Sequence, residues 1–266
     1  MKIVEIPNTH ICFASAIYYL DADMNVIKKI IPPSIKLFFR INQRRYIDQV
    51  SGNNKLFAKK NSTAHGLYPA ITIEQPIKNS VSSVGKIHNL SVAITKLNNI
   101  IIQPGEIFSF WKLVGNPSQQ NGYQKSRSII NGELEAAIGG GLCQLSGLIY
   151  FLALQAGLVI TERHAHSIDI YTEEERFTPL GSDATVTYGY KDLRFINPYH
   201  FPLLIAFQLS ADTLTGTILA EEKITPREII FEYRKTSTHT EVDTIGENSR
   251  NSLIISTNRY KKLQQL

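Results

Sequence analysis

The segment that most constrains the fold is "GGGLCQLSGLIYFLALQAG", residues 139–157. Apolar side chains dominate it from Leu142 onward, three glycines precede that point, and Gly157 ends the run. A stretch that is apolar on nearly every side predicts a helix buried in a core, here from about Leu142 to Gln155. The same segment places Cys143, one of two cysteines in the chain, where a glycine loop meets the start of that helix.

The segments around this helix predict the fold class. "GKIHNLSVAITKLNNIII" has the spacing of a second helix, with apolar residues at Ile87, Leu90, Ile94 and Leu97. Asn131-Gly132, between two short runs, is typical of a two-residue hairpin turn. Five later runs, separated by Gly, Pro or Asp turns, have the character of strands: "LVITERHAHSIDI", "DATVTYGYKDLRFIN", "FPLLIAFQL", "LTGTILAEE" and "REIIFEYRKT".

Helices early in the chain and antiparallel strands later favour an α+β fold over a doubly wound sheet. We predict an antiparallel sheet packed against the helix that starts at the Gly-rich loop, with a smaller N-terminal helical layer. The expected divisions are residues 1–80, helical or irregular, residues 81–236, the main domain, and residues 237–266, a polar tail that we expect to be only partly ordered. A hydrophobic content of 43% is sufficient for a sizeable core.

Residues 34–50, "SIKLFFRINQRRYIDQV", predict a basic amphipathic helix. Its apolar and basic residues are interleaved along the sequence: Leu37, Phe38, Ile41 and Ile47 with Lys36, Arg40, Arg44 and Arg45. The apolar side chains can pack on the main domain, or the helix can lie on an anionic membrane surface as a weak peripheral contact. Packing is favoured, because burial contributes about 1.5 to 3 kcal/mol for each side chain and requires no lipid.

The net charge of +5 favours anionic surroundings, such as nucleic acid, anionic lipid or cell-wall polymer, without choosing among them. The apolar patch at residues 11–20 is too short to span a bilayer and has no convincing cleavage site after it. We therefore expect a cytoplasmic or peripheral membrane location. Cys12 and Cys143 form no C-x-x-C pair for zinc, although a disulfide between them is formally possible.

The position of Cys143 suggests a reactive thiol. Unpaired N–H groups and the macrodipole at a helix N-terminus favour the thiolate, which is the nucleophilic form. The glycines at 139–141 allow a sharp turn and leave the approach open to a substrate carbonyl. The Cys143 N–H could then donate to a developing oxyanion. The alternative is that Cys143 is a small buried hydrophobic residue.

Candidate partners for the thiol occur downstream. His164 and His166, two positions apart in "ERHAHS", would share one face of a strand, and either could serve as general base. Asp183, in "PLGSDAT", could orient the imidazole from the next strand. His-x-His can also form a metal pair, but no third ligand stands out, and a surface imidazole or an Asp that caps a turn are further alternatives.

The chain resembles the VanW family over residues 85–209. The blocks that carry the resemblance are "KIHNL", "LNNIIIQPGEIFSFWKLVG", "NGYQ", "NGEL", "GGGLCQLSGLIY", "AGLVITERHAHS", "GSDATVTYG" and "KDLRFIN". "FSFWKLV" and the short N-terminal part are similar to the compact members found in vancomycin B-type resistance gene clusters. Gly147 departs from the pattern, since many members have Ser or Thr there.

The resemblance implies cell-wall biology associated with glycopeptide resistance, because some VanW-domain proteins act as L,D-transpeptidases through a cysteine thioester. It implies Cys143 as nucleophile, with His166 as the first and His164 as the second candidate base. Gly140, Gly141 and Gln144 are the implied substrate-binding residues. No cofactor and no nucleic-acid partner are expected, and the partner is a peptidoglycan peptide or lipid-linked precursor. The alternative is a non-catalytic binding or accessory protein of cell-wall precursor metabolism.

Overall fold

The computed structural model describes residues 31–59, 66–77, 83–130, 133–169, 178–248 and 251–262. Contacts divide the chain into two compact units, residues 1–47 and 48–266. The apolar patch at residues 11–20 and Cys12 lie outside the described residues. Among the described helices, none is both long and apolar enough to cross a lipid bilayer.

The predicted basic helix is confirmed as α1, Pro33–Val50. Two of its four predicted apolar side chains are exposed, Phe38 at 63% and Ile47 at 53%. Leu37 and Ile41 are half-buried. The interleaving of basic and apolar residues therefore leaves aromatic and aliphatic surface in contact with solvent along α1.

The described residues of the second unit form three further α-helices and thirteen strands. The helices are α2 (Ser83–Leu97), α3 (Phe110–Val114) and α4 (Leu142–Gln155). The strands are β1 (Tyr68–Pro76), β2 (Ile100–Ile102), β3 (Ile107–Ser109), β4 (Lys125–Ile130), β5 (Glu133–Ile138), β6 (Val159–Glu162), β7 (Ile168–Asp169), β8 (Arg194–Ile196), β9 (Leu203–Leu209), β10 (Thr213–Ala220), β11 (Glu228–Lys235), β12 (His239–Asn248) and β13 (Asn251–Lys262). The fold is α+β, as predicted.

The main sheet has the order β1-β10-β9-β2, with antiparallel pairing throughout. Helix α4 packs on this sheet, where Leu148 and Leu152 lie against Gly216 of β10. Both leucines are fully buried, which agrees with the prediction of a core helix from Leu142 to Gln155. Strand β1 falls within residues 1–80, which the sequence assigned to a separate N-terminal region, yet it pairs with β10.

The remaining strands form smaller sheets with the orders β11-β12-β13-β7, β3-β8-β6 and β4-β5. Strands β4 and β5 pair antiparallel as the predicted hairpin, and its Asn131-Gly132 turn lies outside the described residues. Within the segment at 237–266, for which we expect partial order, β12 and β13 form a long antiparallel pair. Cross-strand pairing stabilises this polar segment. Because the segment is polar, its sequence did not show the apolar–polar alternation that indicates a strand.

Two segments predicted as single strands are interrupted. The run after Leu158 is divided into β6 and β7, and residues 163–167 between them have no regular structure. The run after Asp183 contains a turn that a bridge between Thr187 and Lys191 closes, and only β8 at its end is a strand. These interruptions bring residues 163–167 and 182–186 to the N-terminus of α4.

Candidate active site

The glycine loop and the first turn of α4 set the position of the thiol. Gly141 precedes the helix with φ of 98°, a left-handed conformation, and a Cβ at this residue would lie 2.6 Å from the Lys86 Cγ. Cys143 is the second residue of α4, where no carbonyl of the helix accepts its backbone N–H. Its thiol is free and half-buried. The geometry agrees with the predicted junction of a glycine turn and a helix start.

The loop at residues 182–186 lies against this first turn. The Ser146 hydroxyl donates to the Ala184 carbonyl at 2.6 Å, and the Cys143 Sγ lies 3.8 Å from the Val186 carbonyl oxygen. The Thr185 N–H donates to the His164 carbonyl at 2.7 Å. Three separate segments of the chain therefore meet beside Cys143: the start of α4, residues 163–167 and residues 182–186.

His166 stands between the thiol and a carboxylate. Its Nδ1 hydrogen-bonds the Asp183 Oδ2 at 2.7 Å, and its backbone N–H donates to the same oxygen at 2.7 Å. The imidazole also interacts with the Cys143 side chain, which lies beside it. Burial lowers the pKa of His166, but its hydrogen bond to the Asp183 carboxylate and its interaction with Cys143 outweigh this effect and raise the pKa to about 10. The imidazole is therefore a cation at neutral pH.

Asp183 is held from its other side by two buried groups. The Arg163 Nη2 lies 3.0 Å from the Asp183 Oδ1, and the Tyr260 hydroxyl donates to that oxygen at 2.6 Å. Burial raises the pKa of Asp183, but the hydrogen bond from His166 and the charge of Arg163 outweigh it and hold the pKa well below its usual range. Asp183 is thus an ionised carboxylate with one oxygen committed to His166.

His164 has different partners from His166. Its Nε2 lies 3.1 Å from the Glu162 Oε1, an oxygen that also accepts the Asp192 backbone N–H, and Glu162 in turn pairs with Arg194. The prediction that both histidines share one face of a strand is wrong, because residues 163–167 leave the strand after Glu162. The local backbone directs only His166 to Asp183 and Cys143.

The residues predicted to bind substrate line the glycine turn and the start of α4. The Gly140 carbonyl accepts a hydrogen bond from the Asn89 Nδ2 at 3.0 Å. The Gln144 Nε2 donates to the Pro76 carbonyl at 3.0 Å, which joins the first turn of α4 to the end of β1. Gln144 thus has a structural contact in addition to any contact with a ligand.

Two residues of the site were not found from the sequence. Arg163 stands directly before His164 in "ERHAHS", and its position beside the histidines is the only sequence signal it carries. Its Nε and Nη2 also donate to the carbonyls of Asp183 and Gly181. Tyr260 lies far away in the polar C-terminal segment, where its aromatic ring is the one local feature that distinguishes it.

The fold and this site define an α+β protein in which a thiol, an imidazole and a carboxylate lie next to one another in series. Such a series provides a nucleophile, a group that moves protons and a group that orients the imidazole. A family model described as VanW like protein matches residues 85–219, just over half of the chain. The chain belongs to this family.

Two curated relatives are each similar to just over half of the chain. The uncharacterized protein YoaR of Bacillus subtilis (strain 168) is 34% identical over 146 residues, which cover 55% of this chain and 46% of YoaR. The Vancomycin B-type resistance protein VanW of Enterococcus faecalis (strain ATCC 700802 / V583) is 33% identical over 138 residues, 52% of this chain and 50% of that protein. The chain thus spans about half the length of these relatives. No solved structure matches it.

Proposed function

We propose that the protein is a cysteine-dependent acyl transferase that acts on peptidoglycan stem peptides or their precursors, in association with glycopeptide resistance. The observation that carries the chemistry is the position of His166, which hydrogen-bonds Asp183 and interacts with Cys143 beside it. The choice of substrate is supported by family membership and by a relative named for vancomycin B-type resistance. We propose a cytoplasmic or peripheral membrane site of action, where a lipid-linked precursor is within reach.

In the proposed reaction the Cys143 thiolate attacks a peptide carbonyl next to a D-amino acid. A carbon–sulfur bond forms, and the Cys143 backbone N–H stabilises the oxyanion. The carbon–nitrogen bond then breaks, and the protonated His166 gives its proton to the leaving amine. The amine of a second stem peptide attacks the thioester while neutral His166 accepts a proton, and the thiolate is regenerated. Asp183 remains ionised throughout and holds the imidazole in place.

The proposed pairing of Cys143 with a cationic His166 predicts fast alkylation of Cys143 at low pH. At pH 6, where a free cysteine is almost wholly protonated, we expect iodoacetamide to modify Cys143 faster than it modifies glutathione. His166→Asn removes the cation that stabilises the thiolate, so the rate at this pH should fall by roughly tenfold. Mass spectrometry of the Cys143 peptide over time measures both rates.

His164→Asn is the matched control, because it removes an imidazole two residues away that pairs with Glu162. It should leave the alkylation rate near that of the wild type. Equal rates for Cys143 and glutathione in the wild type, or equal losses in the two variants, would contradict the pairing of Cys143 with His166. The non-catalytic binding function would then be the better explanation of the site.

We also propose that α1 contacts an anionic membrane surface. Its exposed apolar side chains, among them Phe38 and Ile47, support this proposal, as do the basic residues between them. Each basic residue near such a surface contributes about 1 kcal/mol. With vesicles of anionic lipid at low salt, we expect the protein to float, and we expect release when Lys36, Arg40, Arg44 and Arg45 are all changed to Gln.

A second quadruple variant distinguishes the effect of the charge on α1 from the effect of the protein's net charge. Exchange of four exposed lysines elsewhere for Gln lowers the net charge by the same amount; the four are Lys55, Lys125, Lys223 and Lys261. This control should still float. A wild-type protein that stays in the soluble fraction with anionic vesicles at low salt rules out the membrane contact of α1.

A further inference from the structure

The C-terminal strands reach the candidate active site from outside the matched part of the chain. The family model ends at residue 219, whereas Tyr260 lies on β13 and donates its hydroxyl proton to the Asp183 Oδ1 at 2.6 Å. Tyr260 is fully buried. Burial and the charge of Asp183 raise the pKa of its phenol above the usual value, so the hydroxyl stays protonated and remains a donor.

The loop before Asp183 packs closely on the C-terminal sheet. Leu180, Val242 and Tyr260 form a small hydrophobic cluster with Phe231 against it. Gly181, with φ of 105°, allows this approach, because a Cβ there would lie 2.7 Å from the Phe231 Cδ1 and 2.9 Å from the Val242 Cγ1. Strands β11, β12 and β13 therefore fix the position of the loop that carries Asp183.

Arg163 connects the same sheet to α4. Its Nη2 donates to the Tyr260 hydroxyl at 3.2 Å, and its guanidinium lies 4.8 Å from the centre of the Tyr150 ring. The Tyr150 hydroxyl also interacts with Ser256 of β13. Helix α4, which carries Cys143, and strand β13 thus share one buried polar network around Arg163.

We propose that Tyr260 is a positioning residue for the site, and that the C-terminal sheet is therefore a functional part of this protein. Tyr260 and Arg163 occupy the Asp183 Oδ1, which prevents the carboxylate from rotating and keeps its Oδ2 against the His166 Nδ1. Tyr260 acts through Asp183 and touches neither Cys143 nor the substrate. The consequence for catalysis rests on the proposed function, but the geometric role does not.

The test follows the His166 Nδ1 proton in Tyr260→Phe. In the wild type this proton should give a downfield resonance that exchanges slowly with water, assigned by its absence in His166→Asn. Tyr260→Phe keeps the ring that packs on Leu180 and Val242, so the fold should persist. Loss of the hydroxyl frees the Asp183 Oδ1, and we expect the resonance to broaden or disappear through faster exchange.

Tyr199→Phe is the matched control, because the Tyr199 hydroxyl also makes a partly buried hydrogen bond, to the Ala156 carbonyl at 2.7 Å, away from Asp183. It should keep the resonance and the wild-type alkylation rate of Cys143, whereas Tyr260→Phe should lower that rate several-fold at neutral pH. A Tyr260→Phe resonance with wild-type exchange overturns the positioning role. Slow alkylation in the wild type would contradict the proposed function but not the positioning role of Tyr260. The resonance reports on His166 and Asp183 independently of Cys143.

Discussion

Exchange of Asp183 for Asn is expected to lower the free energy of unfolding by about 3 kcal/mol at pH 7, the largest stability effect that we predict for a single residue. The Asp183 carboxylate accepts hydrogen bonds from Arg163, from Tyr260, and from the backbone N–H and the Nδ1 of His166. An Asn side chain has only one acceptor oxygen, and its NH2 group would face hydrogen-bond donors where the second carboxylate oxygen had accepted. Arg163, whose side chain is only 5% exposed, would lose its charged partner. Urea unfolding of both proteins measures the difference.

The same exchange should change how stability depends on pH. The pKa of His166 in the folded protein is raised to about 10, so its contribution is fully present below the unfolded pKa of about 6.5 and is lost as the pH rises through 10. The pKa of Asp183 is lowered, so its contribution is present above about 3.9 and is lost as the pH falls through the folded value. Wild-type stability should decline between pH 6.5 and 10, and Asp183→Asn should flatten this decline.

Glu222→Gln provides a control with the same chemistry at the surface. Glu222 pairs with His200 at 3.0 Å, but their side chains are 57% and 78% exposed. Loss of an exposed pair changes stability by about 0.5 kcal/mol or less. Equal effects of Glu222→Gln and Asp183→Asn, with the same pH profile, would contradict the description of Asp183 as the centre of a buried charge network.

The parts of the site that could be predicted from sequence are those set by local interactions. Helix α4 and its glycine turn depend on residues next to one another in the chain, and the structure has the helix at the predicted residues. The pairing of β4 with β5 was likewise predictable, because a two-residue turn determines the register of its own strands. Cys143 could therefore be placed at a helix N-terminus without any long-range information.

The choice between His164 and His166 could not be predicted, because it depends on where β6 ends. A continuous strand would place both imidazoles on one face. With the interruption at residues 163–167, His164 contacts Glu162 and His166 contacts Asp183. The end of β6 is determined by packing against the loop at 182–186, a contact between distant segments. Sequence periodicity carries no information about such contacts.

Tyr260 was beyond sequence reasoning for a similar reason. The segment at 237–266 is polar, and polarity alone suggests a tail. Its strands are stabilised by pairing with each other and with β11, and Tyr260 reaches the site because this sheet places β13 beside it. A single aromatic residue in a polar segment is the one local feature that distinguishes it.

The most direct test of the account is incubation of the protein with purified disaccharide-tetrapeptide that ends in D-Ala, followed by measurement of free D-Ala and of the mass of the Cys143 peptide. The wild type and His164→Asn should release D-Ala and carry an acyl group on Cys143. Cys143→Ala should release none, and His166→Asn should release at least about 100-fold less, as expected for loss of a general acid–base group. Release of D-Ala by Cys143→Ala at the wild-type rate, or no release and no acyl group in the wild type, would contradict a nucleophilic role for Cys143 on this substrate.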